Sequence, residues 1–122
     1  MLRVIISTFR ETRGRPHMQS LKGFQKKYLR SMAHPLRPVV IVGRQGITEA
    51  LIQSVEQALN DHELIKIKFN EHKEKVRKAD LTARIEAATG CCVAGMIGHT
   101  VICYRQHPDP EKRSIQLPTK NA

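Results

Sequence analysis

Residues 38–49 read Pro-Val-Val-Ile-Val-Gly-Arg-Gln-Gly-Ile-Thr-Glu, and the interpretation of the chain depends on this stretch. The four β-branched residues before Gly43 predict a short buried strand. Gly43 and Gly46 enclose Arg44 and Gln45 in a G-x-x-G loop. Because glycine has no Cβ, such a loop permits a sharp turn and the close approach of another backbone.

A helix-period pattern follows the loop directly, and Thr48 is placed to cap that helix. The free N–H groups and the positive dipole end of the helix would then face the loop, which suits phosphate oxygens. An isolated G-x-x-G is more often a plain turn between a strand and a helix. The surrounding sequence therefore has to decide between a structural and a functional interpretation.

Charge is distributed unevenly along the 122 residues, whose formal net charge is +10. Residues 18–48 include the loop and contain six basic residues without a single Asp or Glu. Positive charge concentrated in one block of the sequence in this way indicates a polyanionic partner, most often nucleic acid. An anionic membrane surface is a weaker candidate, because the chain has no strongly hydrophobic helix face and no apolar run of about 20 residues. With two Tyr, three Phe and no Trp, stacking on bases is not expected to dominate.

Hydrophobic periodicity predicts seven elements in the order α-β-α-β-α-β-β. Their approximate ranges are 20–33, 39–42, 48–60, 64–69, 73–89, 91–97 and 100–105. This order predicts a compact two-layer α/β domain with a mixed four-stranded sheet. The domain is expected to span residues 18–106, followed by a tail, 107–122, in which residues 114–117 can add a short edge strand.

The first predicted helix has an apolar stripe and a basic row. Ser20 is the expected cap, and the stripe consists of Leu21, Phe24, Tyr28 and Met32. The basic row consists of Lys22, Lys26, Lys27 and Arg30. Like charges at i, i+4 repel one another slightly, so a row without Glu favours an anionic partner, although a solvated face remains an alternative.

Residues 1–17 contain four Arg and one Glu and do not resemble the start of a compact domain. A transit peptide, a basic arm that orders on RNA, and a start codon assigned too early, with Met18 as the true start, all fit this composition. A misplaced start or a flexible arm is favoured over targeting.

Three cysteines without C-x-x-C spacing indicate reduced thiols and a cytoplasmic protein. A zinc site of Cys91, Cys92, His99 and Cys103 is disfavoured, because neighbouring strand residues point to opposite faces. The G-x-S-x-G elbow, the complete P-loop and the G-x-G-x-x-G motif are all missing, so no enzyme, cofactor or metal is predicted.

Two strings of sequence carry a family resemblance. The first runs from Leu21 through Ala-His-Pro-Leu-Arg-Pro at 33–38 and the loop to Glu49, and is continued by residues 62–68. The second runs from Glu86-Ala-Ala-Thr-Gly through residues 97–105. Together they closely resemble the CRM domain (chloroplast RNA splicing and ribosome maturation), in particular its stand-alone bacterial YhbY-like branch.

The resemblance implies a fold similar to the C-terminal domain of a bacterial translation initiation factor, and RNA binding through the G-x-x-G loop and a neighbouring basic surface. Single-domain bacterial members are linked to precursors of the large ribosomal subunit, and multi-domain plant members to group II intron splicing. Where members often carry Lys before the last strand this chain has His99, which would make a weaker contact at neutral pH.

The predicted function is therefore that of a monomeric RNA-binding ribosome assembly factor without a membrane or cofactor requirement. The predicted RNA-binding residues are Gly43, Arg44, Gln45, Gly46, Lys22, Lys26, Lys27, Arg30 and Arg37. A basic adaptor for an acidic protein partner and a phosphate-handling enzyme are the alternatives.

Overall fold

The computed structural model describes residues 21–119. Its elements are α1 (Gly23–Ala33), β1 (Val40–Val42), α2 (Glu49–His62), β2 (Leu64–Phe69), α3 (Lys75–Thr89), β3 (Cys92–Ile97) and β4 (Thr100–Tyr104), with a 3-10 turn at Pro110–Lys112. The predicted order α-β-α-β-α-β-β is confirmed. The predictions for residues 1–17 and for the Ser20 cap fall outside the described residues.

The four strands form one mixed sheet, as predicted, and their order in it is β1-β2-β4-β3. β1 runs parallel to β2, and the other two pairs are antiparallel. Val42 lies opposite Phe69, and Lys68 lies opposite Thr100. The G-x-x-G loop, the β2–α3 connection and the β3–β4 turn therefore share one end of the sheet, here called the loop end. The opposite end, where β2 and β3 begin, is called the tail end.

Alternate strand residues supply two separate hydrophobic clusters on the two faces of the sheet. Ile65, Ile67 and Phe69 pack with residues of α2 and α3. Leu64 and Ile102 face the other way and pack with residues of α1. The predicted two-layer arrangement thus needs one addition, because α1 forms a third layer on the opposite face of the sheet.

The buried side of α1 differs from the predicted stripe. Leu29 and Ala33 are fully buried, whereas Tyr28 is 37% exposed. Leu29 and Tyr28 are neighbours in sequence and so point about 100° apart on a helix. The stripe through Leu21, Phe24, Tyr28 and Met32 is therefore wrong at Tyr28, because Leu29 and Ala33 pack against the sheet and Tyr28 remains exposed.

The tail does not form the expected edge strand at residues 114–117. Instead Ile115 is buried in the α1-side cluster. The tail backbone is held by the buried carboxylate of Glu63, which accepts hydrogen bonds from the N–H groups of His107, Ser114 and Ile115 at 2.7, 2.8 and 3.1 Å. The acidic side chain of Glu63, at the junction of α2 and β2, thus accepts from three backbone N–H groups of the tail.

Candidate functional site

The G-x-x-G loop is a tight turn between β1 and α2. The N–H of Gly46 donates to the carbonyl oxygen of Gly43 at 3.0 Å. Thr48 caps α2 as predicted, since its hydroxyl oxygen accepts from the N–H of Leu51 at 3.0 Å. The start of α2 therefore adjoins the loop, where Arg44 and Gln45 are exposed.

The two loop glycines serve different purposes. Gly46 has φ of 69°, a left-handed conformation that side-chain-bearing residues rarely adopt. Gly43 is not among the residues with positive φ, and a Cβ placed on it would meet no atom within 4 Å. The turn therefore requires glycine at position 46, whereas the fold gives no reason for glycine at position 43.

His72, in the β2–α3 connection, holds the loop from the side. Its Nε2 lies 2.8 Å from the carbonyl oxygen of Arg44, and Arg77 Nε donates to its Nδ1 at 3.4 Å. Because Nδ1 accepts a hydrogen bond, the neutral ring carries its proton on Nε2 and donates it to the Arg44 carbonyl. No sequence pattern predicts this contact, because it joins residues 28 positions apart.

A group of cations lies beside the loop at the β3–β4 turn. The buried Lys78 donates through Nζ to the carbonyl oxygen of Gly98 at 2.8 Å and lies 3.1 Å from Nδ1 of His99. The pKa of His99 is lowered by local desolvation and by the positive charges of Lys78, Lys73 and Lys68. We call Lys68, Lys73, Lys78 and His99 the hairpin cation cluster.

The hairpin cation cluster was not predicted as a site, because its members come from β2, the β2–α3 connection, α3 and a turn. Lys68 on an alternating strand and Lys73 and Lys78 near the start of α3 were visible as basic residues. Only the sheet register, which sets Lys68 opposite Thr100, brings them to the same turn.

The basic row of α1 lies elsewhere. Lys26 is near Cys92 at the start of β3, where its charge opposes the rise in the Cys92 pKa that burial causes. The start of β3 is at the tail end, and β3 and β1 are the two opposite edges of the sheet. The structure therefore gathers the four loop residues in one place and sets the α1 row on a separate surface.

Two of the predicted cations outside the loop, Arg30 and Arg37, differ in their contacts. Arg30 donates from Nη1 to the carbonyl oxygen of Ala94 at 2.9 Å, at the irregularity in the β3 register, so part of its role is structural. Arg37 is exposed in the link between α1 and β1. Lys66 fixes this link by donating to the carbonyl oxygens of His34 and Leu36 at 3.3 and 3.0 Å.

Neither a metal site nor a membrane span emerges from the part of the chain that the structure describes. Within residues 21–119, no three His, Cys, Asp or Glu side chains are grouped so that they could hold a metal ion. The helices in the same range are too short or too polar to cross a bilayer.

Comparison with known sequences identifies the family. The sequence model of the CRS1 / YhbY (CRM) domain matches residues 21–105, which includes every strand and helix α1 to α3. The chain belongs to this family. The CRM resemblance of its G-x-x-G and closing-hairpin strings is thereby confirmed.

Relatives of this CRM-domain chain have similar lengths. It is 38% identical over 103 residues to a Haemophilus influenzae protein named "RNA-binding protein", covering 84% of this chain and 100% of the relative. It is 33% identical over 98 residues to the Bacillus subtilis "Probable RNA-binding protein YqeI", covering 80% and 99%. The solution structure of the hypothetical protein SAV1595 from Staphylococcus aureus superposes with a TM-score of 0.68 at 32% identity, covering 80% of this chain and 99% of that one.

Proposed function

We propose that this protein binds RNA as a non-catalytic factor, that its partner is ribosomal RNA in precursors of the large subunit, and that the G-x-x-G loop is a principal contact. Membership of the CRM family and the names of the relatives support RNA as the partner. The net charge of +10 supports a polyanionic partner independently of those names.

The observation that carries the proposal is the open space above Gly43. Glycine at this exposed position is explained neither by a left-handed backbone nor by a neighbouring atom. The remaining physical reason for glycine is the close approach of a ligand to the loop backbone. A phosphate in that space would also meet the Arg44 side chain and the first N–H groups of α2.

Charge at the loop end is available for a ligand. The two ion pairs found between described residues are Arg84 with Asp80 and Arg105 with Glu56. Neither involves Arg44, Lys68 or Lys73. Glu71 and Glu74 also lie in this part of the chain and are exposed. They offset some of the positive potential without forming ion pairs with these cations.

The α1 row is proposed as a second contact surface. Lys22 and Lys27 are exposed and Lys26 is half-buried. Because this row lies near the opposite edge of the sheet from the loop, one RNA can touch both surfaces only if it spans the domain, as a folded RNA does. Contacts of this kind go mainly to phosphates, so the expected sequence preference is modest.

The test is to purify the tagged protein from cells with and without nuclease treatment, and to follow it on a sucrose gradient. The proposal predicts that RNA co-purifies, that nuclease removes the association, and that the protein migrates with large-subunit precursors. Association that survives nuclease would instead favour the acidic protein partner. Migration with free proteins and no bound RNA would contradict the proposal.

A further inference from the structure

Lys78 is a buried cation without an acidic partner among the described residues. Its side chain belongs to a residue that is only 8% exposed, and its ammonium group meets two uncharged acceptors, the Gly98 carbonyl oxygen and His99 Nδ1. Burying an ammonium group is unfavourable unless a counter-charge compensates it. An ammonium group also has three N–H donors, so one remains for a further acceptor.

Positive charges from three elements act on His99, which accepts from this ammonium group, and the acids of this part of the chain, Glu71 and Glu74, are exposed. α3 contributes Lys78, the β2–α3 connection contributes Lys73, and β2 contributes Lys68. The turn that carries His99 is fixed in place, because the N–H of Phe69 donates to the His99 carbonyl oxygen at 2.8 Å. Four cationic or protonatable groups from separate elements thus converge on one point at the loop end.

We propose that the hairpin cation cluster is a second phosphate-binding site, in which the oxygens of a phosphate enter between Lys78 and His99 and replace their direct contact. The proposal rests on the proposed function in one respect, namely that the phosphate belongs to RNA. A phosphate offers only acceptors, so it satisfies the free N–H of Lys78 and can accept from His99 as well. Lys73 and Lys68 supply further positive charge around it.

Binding at this site takes up a proton. In the free protein Nδ1 of His99 accepts from Lys78, so the ring is neutral there, and the pKa of His99 is held below its ordinary value by local desolvation and the three lysines. A bound oxyanion attracts the imidazolium form and raises the pKa of His99. Affinity therefore increases as pH falls through the bound-state pKa, by at most about tenfold per pH unit, and levels off below the free-state pKa.

The site is tested first with sulfate, whose charge does not change in this pH range. The His99 imidazole of the full chain is titrated by NMR with sulfate and, separately, with chloride at the same ionic strength. We expect sulfate to raise the pKa of His99 more than chloride does, and to leave His62, which is exposed at the tail end of β2, unaffected. Equal shifts of both residues in both salts would overturn the proposal, because they would reflect screening alone.

The second test measures the affinity for a bulged RNA stem-loop at about pH 6 and about pH 7.5. The parent should bind roughly three- to tenfold more tightly at the lower pH. H99Q should lose most of this difference, H99K should bind tightly at both pH values, and the control H62Q should behave as the parent. These positions are exposed, so the variants avoid the folding defect that replacing the buried Lys78 risks.

The two tests separate failure of the site from failure of the proposed function. If the parent binds RNA but H99Q keeps the full pH dependence, the phosphate site is refuted and the proposed function stands. If sulfate raises the His99 pKa selectively but no RNA binds at either pH, the anion site stands and the proposed function fails.

Discussion

At the scale of single residues, Gly43 and Gly46 distinguish two reasons for glycine in the loop. One is the backbone conformation of the turn, and the other is the close approach of RNA to the loop backbone. Gly43→Ala places a methyl group in open space on an ordinary backbone, so we expect thermal stability to be unchanged or raised by up to about 1 kcal/mol. If RNA approaches the loop backbone closely, the same methyl group should weaken binding at least several-fold. Melting temperature and RNA affinity measured on one preparation check both halves of the prediction.

Gly23→Ala is the matched control for Gly43→Ala, because a Cβ at Gly23 also meets nothing within 4 Å. Gly46 is a poorer test position, since any side chain there adds left-handed strain of about 1–2 kcal/mol to whatever it does to binding. Unchanged RNA affinity in Gly43→Ala would show that the loop backbone is not approached, and would leave the cations alone to explain binding.

His72 is a positioning residue for the loop. His72→Gly removes the donor to the Arg44 carbonyl while tolerating the φ of 58° that His72 adopts. We expect amide exchange at Gly46, whose N–H donates to Gly43, to accelerate, and RNA affinity to fall about three- to tenfold, the cost of ordering a loosened loop on binding. Amide exchange by NMR and a binding titration give the two readouts.

His34→Gly serves as the control for His72→Gly, because His34 is exposed in the link before β1. Faster loop exchange with unaltered affinity would mean that RNA orders the loop without help from His72.

The sequence predicted the glycines, Arg44 and the Thr48 cap because these depend on neighbours along the chain. It could not predict His72 or Lys78, whose partners are 28 and 20 or more positions away.

Among the elements, α1 shows where periodicity is insufficient. Its range was predicted closely, since Pro35 and Pro38 limit it and apolar residues recur at helical spacing. Two overlapping stripes fit that spacing, one through Tyr28 and one through Leu29. Which of them is buried depends on the size and polarity of the sheet residues it meets, and these come from β2, β3 and β4, far along the chain.

Glu63 ties the tail to the junction of α2 and β2, and its ionisation should control that attachment. Burial acts to raise the pKa of Glu63, but hydrogen bonds from the His107, Ser114 and Ile115 N–H groups and from the Ser114 hydroxyl outweigh it, so the pKa is lowered. A carboxylate whose pKa is lower in the folded state contributes stability above its unfolded-state pKa. That contribution is lost as pH falls through the folded-state pKa.

Glu63→Gln should therefore lower the free energy of unfolding by about 1–3 kcal/mol at neutral pH and by much less in acid. Thermal unfolding at about pH 7 and about pH 3 measures this difference, and faster amide exchange at Ser114 and Ile115 would place the loss in the tail. Glu111→Gln is the control, because Glu111 is an exposed carboxylate of the same tail. An equal loss of stability at both pH values would mean that the shape of the Glu63 side chain, and not its charge, holds the tail.

At the scale of the whole molecule, the sheet order decides which cations act together. The sequence predicted four strands and a mixed sheet, but the order β1-β2-β4-β3 and the register come from non-local pairing. That pairing brings the hairpin cation cluster to the loop end and leaves Lys26 near the start of β3. Sequence order alone groups the α1 row with the loop, because both lie in the acid-free block 18–48.

The salt dependence of RNA binding should reveal whether RNA contacts both the loop end and the α1 row. If about five phosphates are contacted, log K should fall with log salt at a slope of roughly −3 to −4 for a single-stranded or bulged RNA. Replacing Lys22, Lys26 and Lys27 by Gln should reduce the magnitude of the slope by about 2, and Arg44→Ala with Lys73→Gln by about 1.4. Because the two sets lie on separate surfaces, the reductions should add in the combined variant.

RNA length provides the control for this prediction. An RNA too short to span the sheet should respond to the loop-end changes and not to the α1 changes, whereas a folded RNA should respond to both. If the α1 changes leave the slope for the folded RNA unaltered, the α1 row is a solvated face and the loop end alone carries binding. A slope near zero for the parent protein would contradict phosphate contacts at either surface, since releasing counterions is what makes such binding depend on salt.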